Sequence, residues 1–422
     1  MMLRMQKEKT ISSVSNYLCL SGFFILLVIT ILNPNPPIFD EVLFLPNVLL
    51  FEEHGLSKQF LLELYDQAPG PLYQFIHYPL KSLTQLTTPG IRLVNIVLLA
   101  FATLILIIFV RKWMPARIKA NHYFPLMIIA VPMIWQVAGM ALTEIPAIFT
   151  ASLFMLSFVM MIKKEDHQIY QIVFSILSGL FLGLTILGRS PYLMILPGLL
   201  IPFLMVNNKF KKGMIVIIGL IAAGISFPVF IIWNGLVPPA QAHVGVGGIV
   251  IRNGILAFSY MFLVVLLLAP KWYEFKRKDY SRISIAFILA FIINIAWLKS
   301  DYAPLSEFLG IFFPPGFIEL YKLIINPILI VMGLYFLYNS YNKVLQNKNN
   351  TIYIFLLIST ILILATCFKV THLFSSRYVA QAIPFILPVI LLSDSNDKSK
   401  PLRIILGFII GFISLNTYNP LF

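Results

Sequence analysis

Leu93-Val94-Asn95-Ile96-Val97-Leu98-Leu99-Ala100-Phe101-Ala102-Thr103-Leu104-Ile105-Leu106-Ile107-Ile108-Phe109-Val110 runs for 18 residues without a charge. Coiled as an α-helix it is about 27 Å long, close to the ~30 Å hydrocarbon core of a bilayer. Backbone polar groups find no water at that depth, so a crossing segment must satisfy them internally as a helix. Comparable runs recur in both directions along the 422 residues. Hydrophobic residues make up 59%, charged residues 11%, and mean hydropathy is +0.88. Soluble domains carry roughly 25% charged residues, which excludes a water-soluble fold. The pattern predicts an all-α polytopic membrane protein, a single domain over 1–422 with about 13 transmembrane helices. The spans are 14–33, 92–110, 123–141, 145–162, 169–187, 191–206, 214–233, 254–270, 283–298, 317–338, 351–368, 377–393 and 404–418. Pro125 and Pro132 interrupt the third.

Charge orients these spans. With the N-terminus in the cytoplasm, the segments on that side hold 22 of the 31 basic residues beside seven acids. Among them are Arg4, Lys7, Lys9, Arg111, Lys112, Arg117, Lys119, Lys163, Lys164 and the run Lys271, Lys276, Arg277, Lys278, Arg282. The opposite face is close to neutral. Alternation loop after loop is the positive-inside pattern, so the net +14 reports topology and excludes a nucleic-acid partner. The first span has basic residues before it like a signal peptide, but no small-residue cleavage pattern follows, which makes it an uncleaved anchor. Cys19 and Cys367 lie at opposite ends of their spans, too far apart in depth for a disulfide. The reading places the chain in a bacterial or archaeal plasma membrane, or in the ER membrane of a eukaryote.

One long segment, 34–91, falls on the face away from the N-terminus. It opens Asn33-Pro34-Asn35-Pro36-Pro37 and sets Asp40 and Glu41 at the mouth of the bundle. Apolar patterning over 42–51 and 58–66 predicts two short amphipathic helices along the membrane surface, the second broken by Pro69-Gly70-Pro71. Shorter loops on the same face carry Glu144, Arg189, Arg252, His243, Asp301, His372 and Arg377. Ionisable groups at span ends are costly unless paired or facing a water-filled cavity, so a one-sided gathering of this kind marks a site. Each member also has a plainer reading. Asp40 and Glu41 suit a solvated loop, and Glu144 suits the first turn of a helix that carries Pro146. Arg189 suits snorkelling to the interface, and the two imidazoles suit structural roles. Gly245-Val246-Gly247-Gly248 lacks the spacing and preceding strand of a nucleotide loop and reads as a mobile loop over the site. No zinc spacing is present; a divalent cation is the one cofactor the acids leave open.

Phe39-Asp40-Glu41-Val42-Leu43-Phe44-Leu45-Pro46, Leu142-Thr143-Glu144-Ile145-Pro146-Ala147 and Tyr65-Asp66-Gln67-Ala68-Pro69-Gly70-Pro71-Leu72-Tyr73 together resemble the GT-C membrane glycosyltransferases. The group includes the ER alpha-1,2-glucosyltransferase, the protein O-mannosyltransferases and the lipid A aminoarabinose transferase. The resemblance covers roughly 30–160. The lysine of the glucosyltransferase motif is missing, with Gln67 and Ala68 in that region, and no large soluble C-terminal domain follows. It implies a GT-C-like fold, a polyprenyl-phosphate sugar as donor, and a glycan, lipid or protein hydroxyl as acceptor, with membrane lipids as surroundings.

Glycosyl transfer passes through an oxocarbenium-like state, which needs a carboxylate to deprotonate the acceptor and cations to take up charge on the departing phosphate. The expected catalytic residues are Asp40 as base and Glu41 as its support. Arg377, Arg189 and Arg252 are the donor-phosphate candidates, because a guanidinium fork matches phosphate oxygens. Glu144, His243, His372 and Tyr73 are the expected substrate-binding residues. Direct displacement would invert the anomeric centre. Two other readings stand beside this one: a transporter or flippase of lipid-linked sugars, whose charges belong near the midplane, and a polysaccharide polymerase or ligase, expected to have a late arginine-rich outer loop.

Overall fold

The computed structural model describes residues 2–33, 35–114, 123–163, 167–245, 247–300, 302–393 and 397–420, without the side chains of 2–9, 244, 245 and 278. Asp301, Arg117, Lys119, Lys164 and Val246 therefore lie outside the described residues. Every regular element among the described residues is helical. Among the described residues ten helices are long and apolar enough to cross a membrane: Thr10–Leu32, Gly90–Trp113, Glu144–Lys163, Gln168–Gly188, Lys209–Trp233, Ile251–Leu268, Asp279–Leu298, Pro315–Gln346, Thr351–Lys369 and Lys400–Tyr418. The chain is a multi-pass membrane protein.

Three of the thirteen expected spans are not continuous helices. The stretch 123–141 splits into a 3-10 segment, Phe124–Ala130, and a short helix, Pro132–Gly139. The stretch 191–206 breaks into Ser190–Met194, Ile195–Gly198 and Leu200–Met205, with prolines at 191, 197 and 202. The stretch 377–393 breaks into Arg377–Ala380, Ile383–Ile390 and a last 3-10 turn. Proline removes an N–H donor and clashes with the preceding turn, so each repeat of it interrupts the ladder. Broken backbone is tolerated at membrane depth only under protein cover. Accordingly every residue of Ile383–Ile390 is buried, as are six of the seven in Phe124–Ala130.

The 34–91 segment folds onto the bundle. Helix Asp40–His54 buries Glu41, Phe44, Asn47 and Val48, a set spaced to share one face. Ser57 caps the next helix, Lys58–Glu63, by accepting from the Phe60 N–H at 3.1 Å. Three buried amides then hold the turn before helix Leu72–His77. Asn47 exchanges hydrogen bonds with the Tyr65 backbone at 2.9 and 3.0 Å. Gln74 donates to Gln67 at 2.6 Å, and Gln67 donates to the Pro69 and Gly70 carbonyls at 3.0 Å each. Gly70 passes so close to the end of helix Gln168–Gly188 that a β-carbon there would sit 2.2 Å from the Leu187 carbonyl oxygen. Cys19 and Cys367 are both buried and free.

Candidate functional site

Phe39 takes a backbone conformation that non-glycine residues avoid, φ 49° and ψ −128°. Such a residue costs on the order of 1–3 kcal/mol and persists where its surroundings over-determine it. Its effect is to turn the proline-rich segment abruptly into helix Asp40–His54, so that adjacent carboxylates look in different directions.

Glu41 looks inward. It accepts from Arg92 Nε at 2.9 Å and Nη2 at 2.7 Å, from the Ala141 N–H at 2.8 Å and from the Ile38 N–H at 2.9 Å. Both side chains of the pair are 0% exposed. The carboxylate of Glu41 is thus fully engaged by protein groups, whereas that of Asp40 stays partly open. Glu41 is a positioning residue that ties the loop to helix Gly90–Trp113 and to the turn before helix Glu144–Lys163. Arg92 is its missed partner, disguised as an ordinary charge at the end of a span.

Asp40 looks toward the start of the late helix and ion-pairs with Arg377. Arg377 Nε lies 3.9 Å from Glu144 Oε1, and the same oxygen lies 3.1 Å from Arg189 Nη2. Two carboxylates and two guanidiniums thus alternate in one chain of contacts. Arg189 also approaches Thr143 Oγ1 at 3.4 Å. With the Gln381 amide turned to satisfy its neighbours, its oxygen accepts from Arg189 Nε at 3.2 Å and Nη2 at 3.0 Å. Tyr378 lies beneath both arginines, with its ring centre 5.9 Å from Arg189 and 5.6 Å from Arg377. Glu144 is almost wholly buried, while Asp40 is 31% exposed at the open end of the chain. Arg377 Nε is buried without a hydrogen bond, a donor left pointing into the cluster.

His372 joins this group from the loop side, its Nε2 2.7 Å from the Tyr378 hydroxyl. Burial and then the charges of Arg377 and Arg189 push its pKa below the ordinary imidazole value, so it stays neutral beside the arginines. The structure therefore brings together Asp40, Glu144, Arg189, Arg377 and His372. Gln381 and Tyr378, polar groups inside an apolar run, complete the set.

Three expected members are elsewhere. Arg252 is exposed and lines a small pocket with Ser300 and Asn326, between helices Ile251–Leu268 and Pro315–Gln346. His243 is exposed on the turn Ala242–Gly245 and, among the described contacts, meets no member of the cluster. Tyr73 is 1% exposed, stacked on His77 at 4.0 Å and tilted against Phe44 at 5.1 Å. Burial pushes its phenol well above the usual value and holds His77 neutral down to about 3, so this pair belongs to the loop's core. Beside the glycine stretch, the Val250 N–H donates to the Phe368 carbonyl at 2.7 Å, and Gly247 abuts Thr371.

Among the described residues no three His, Cys, Asp or Glu side chains gather as metal ligands. The donor set does not fit a divalent cation: each carboxylate of the cluster already faces a guanidinium. The arrangement suits an anion with several oxygens, which would meet two guanidiniums, an amide and a spare N–H.

No protein-family model matches the sequence, and no curated protein matches it. Two solved structures are similar: the crystal structures of ArnT from Cupriavidus metallidurans, one in the apo state and one bound to undecaprenyl phosphate. Both are 12% identical to this chain, with TM-scores of 0.48 and 0.47, and the match covers 96% of this chain and 77% of theirs. A likeness that loose transfers neither residue roles nor ligands, so the roles rest on the geometry of this chain.

Proposed function

We propose that the protein is an inverting glycosyltransferase that moves a sugar from a polyprenyl-phosphate donor to an acceptor hydroxyl at the membrane face opposite its N-terminus. The observation that carries this reading is the alternating chain Asp40–Arg377–Glu144–Arg189. It puts a partly open carboxylate beside one guanidinium, with a second linked to it through Glu144, the parts that the reaction needs at its two ends. The donor phosphate takes the place of Asp40 on Arg377, with Arg189 behind it. Asp40 then removes the proton of the acceptor hydroxyl as that oxygen bonds to the anomeric carbon. The bond from that carbon to the phosphate oxygen breaks, and the phosphate leaves with the electron pair. The charge it gains is met by the arginines, which are fixed before the reaction starts. Glu144, between the two guanidiniums, aligns them.

The test is a transfer assay in detergent or nanodiscs with a polyprenyl-phosphate sugar, reading release of polyprenyl phosphate. Asp40→Asn should fold and bind donor, with turnover lower by about 10²–10⁴-fold, the usual loss of a positioned base. Turnover close to wild type would end the base assignment. A transport reading also draws on one observation, the three broken helices beside the cluster, since broken helices line transporter sites. It expects the lipid-linked sugar to cross a vesicle bilayer intact, with no polyprenyl phosphate released.

A further inference from the structure

Helices Ile251–Leu268 and Arg277–Ile293 both lean on Pro315–Gln346 and leave a wedge between them. The wedge encloses about 520 Å³, walled by Phe262, Phe275, Phe287, Val331, Met332 and Tyr335. That volume lies within the roughly 300–1,000 Å³ of pockets that enclose a ligand. Helix Arg277–Ile293 forms its outer wall and turns Ile285, Leu289 and Ile292, each more than 50% exposed, outward, while Ile288 lines the wedge at its open side. At membrane depth such a wall faces lipid. None of the residues of the Asp40 cluster lines this cavity.

One end of the wedge is charged. Phe275 and Tyr335 stack there, 5.0 Å apart and 9° from parallel. The turn that carries Phe275 also carries Lys271 and Lys276, and the helix that follows it opens with Arg277 and carries Arg282; all four are exposed. The acids of the same turn are engaged: Glu274 pairs with Lys343 at 2.7 Å, and buried Asp279 accepts from the Lys276 N–H at 2.8 Å. Arg282 reaches the rim, its Nη1 3.5 Å from the hydroxyl of Tyr338, one helical turn beyond Tyr335. An apolar slot open to the bilayer thus ends in a basic collar.

We propose that this wedge is a binding site for an anionic bilayer phospholipid. One acyl chain fills the cavity, and the headgroup phosphate meets the collar of Arg277 and Arg282. Cations near an anionic membrane surface attract it, and the apolar walls retain the chain.

The test reconstitutes the full-length protein in phosphatidylcholine nanodiscs with and without phosphatidylglycerol, then weighs the retained lipid by native mass spectrometry. Wild type is expected to retain phosphatidylglycerol in preference to phosphatidylcholine. Substituting Arg277→Gln and Arg282→Gln, both at exposed positions, should lower that preference about five-fold per cation removed. Val331→Trp should fill the cavity and abolish retention of either lipid. Ile288→Trp, at a lining position that is itself exposed, makes the same test without disturbing a buried position. Equal retention of the two lipids by wild type overturns the proposal, as does undiminished retention by a folded tryptophan variant. Displacement of phosphatidylglycerol from the wedge by added polyprenyl phosphate would also overturn it.

Discussion

Arg377 has to serve three neighbours of different kinds: Asp40, Glu144 and the ring of Tyr378. A planar guanidinium can do so because its donors fan out in one plane and its face stacks on an aromatic ring. Lysine offers a single compact charge. Arg377→Lys should therefore weaken binding of a polyprenyl-phosphate sugar, measured in nanodiscs, even though the charge is kept. Equal binding by the two proteins would reduce Arg377 to a snorkelling residue and leave Arg189 as the phosphate ligand. At this scale the sequence was partly readable. Asp40, Glu144, Arg189 and Arg377 stand out because each interrupts apolar surroundings on one face of the membrane. Arg252 and His243 met the same criterion and lie elsewhere, because a loop's side of the bilayer says nothing about its position around the bundle. Gln381 escaped notice because an uncharged polar group inside a span is common. Its place appears only once Arg189 is seen beside it.

Among the elements, the cluster is assembled by the pieces that do not run straight. Glu144 follows the short helix Pro132–Gly139, Arg189 precedes the broken stretch Ser190–Met205, and Arg377 opens the broken stretch that ends at Ser393. Hydropathy counts carbon and is blind to a missing N–H, which is why the last two of these segments looked like whole spans, whereas Pro125 and Pro132 already marked the first as interrupted. The first loop was more legible, since its proline and glycine punctuation marks each helix end. The clasp that fixes this loop is the buried Glu41–Arg92 pair. Removing one partner of such a pair strands the other charge and typically costs about 3–5 kcal/mol. Glu41→Ala should lose stability on that scale in a detergent unfolding experiment, and Asp40→Asn should lose far less because its pair is partly solvated. Replacing Glu41 and Arg92 together by leucine should recover most of the loss. If Glu41→Ala unfolds no more easily than Asp40→Asn, the pair is no clasp.

Across the whole molecule, basic residues alternate between loops with a regularity that the positive-inside rule explains. Reporter fusions at Ser57 and after Lys119 should report opposite sides of the membrane. Both on one side would dissolve the shared face on which the cluster's members were first grouped. The molecule carries a formal charge of +14, yet the Asp40–Arg377–Glu144–Arg189 chain cancels to zero. That self-cancellation has a kinetic meaning. In the proposed transfer, the same carboxylate that is displaced as the donor enters is neutral once it has taken the acceptor's proton. When it loses that proton to water it becomes a rival for Arg377 and drives the spent phosphate out. Asp40 is then a built-in competitor whose removal should slow turnover and also trap product. Asp40→Asn should hold polyprenyl phosphate several-fold more tightly than wild type in a direct binding measurement, and an unchanged affinity would show that nothing evicts the lipid.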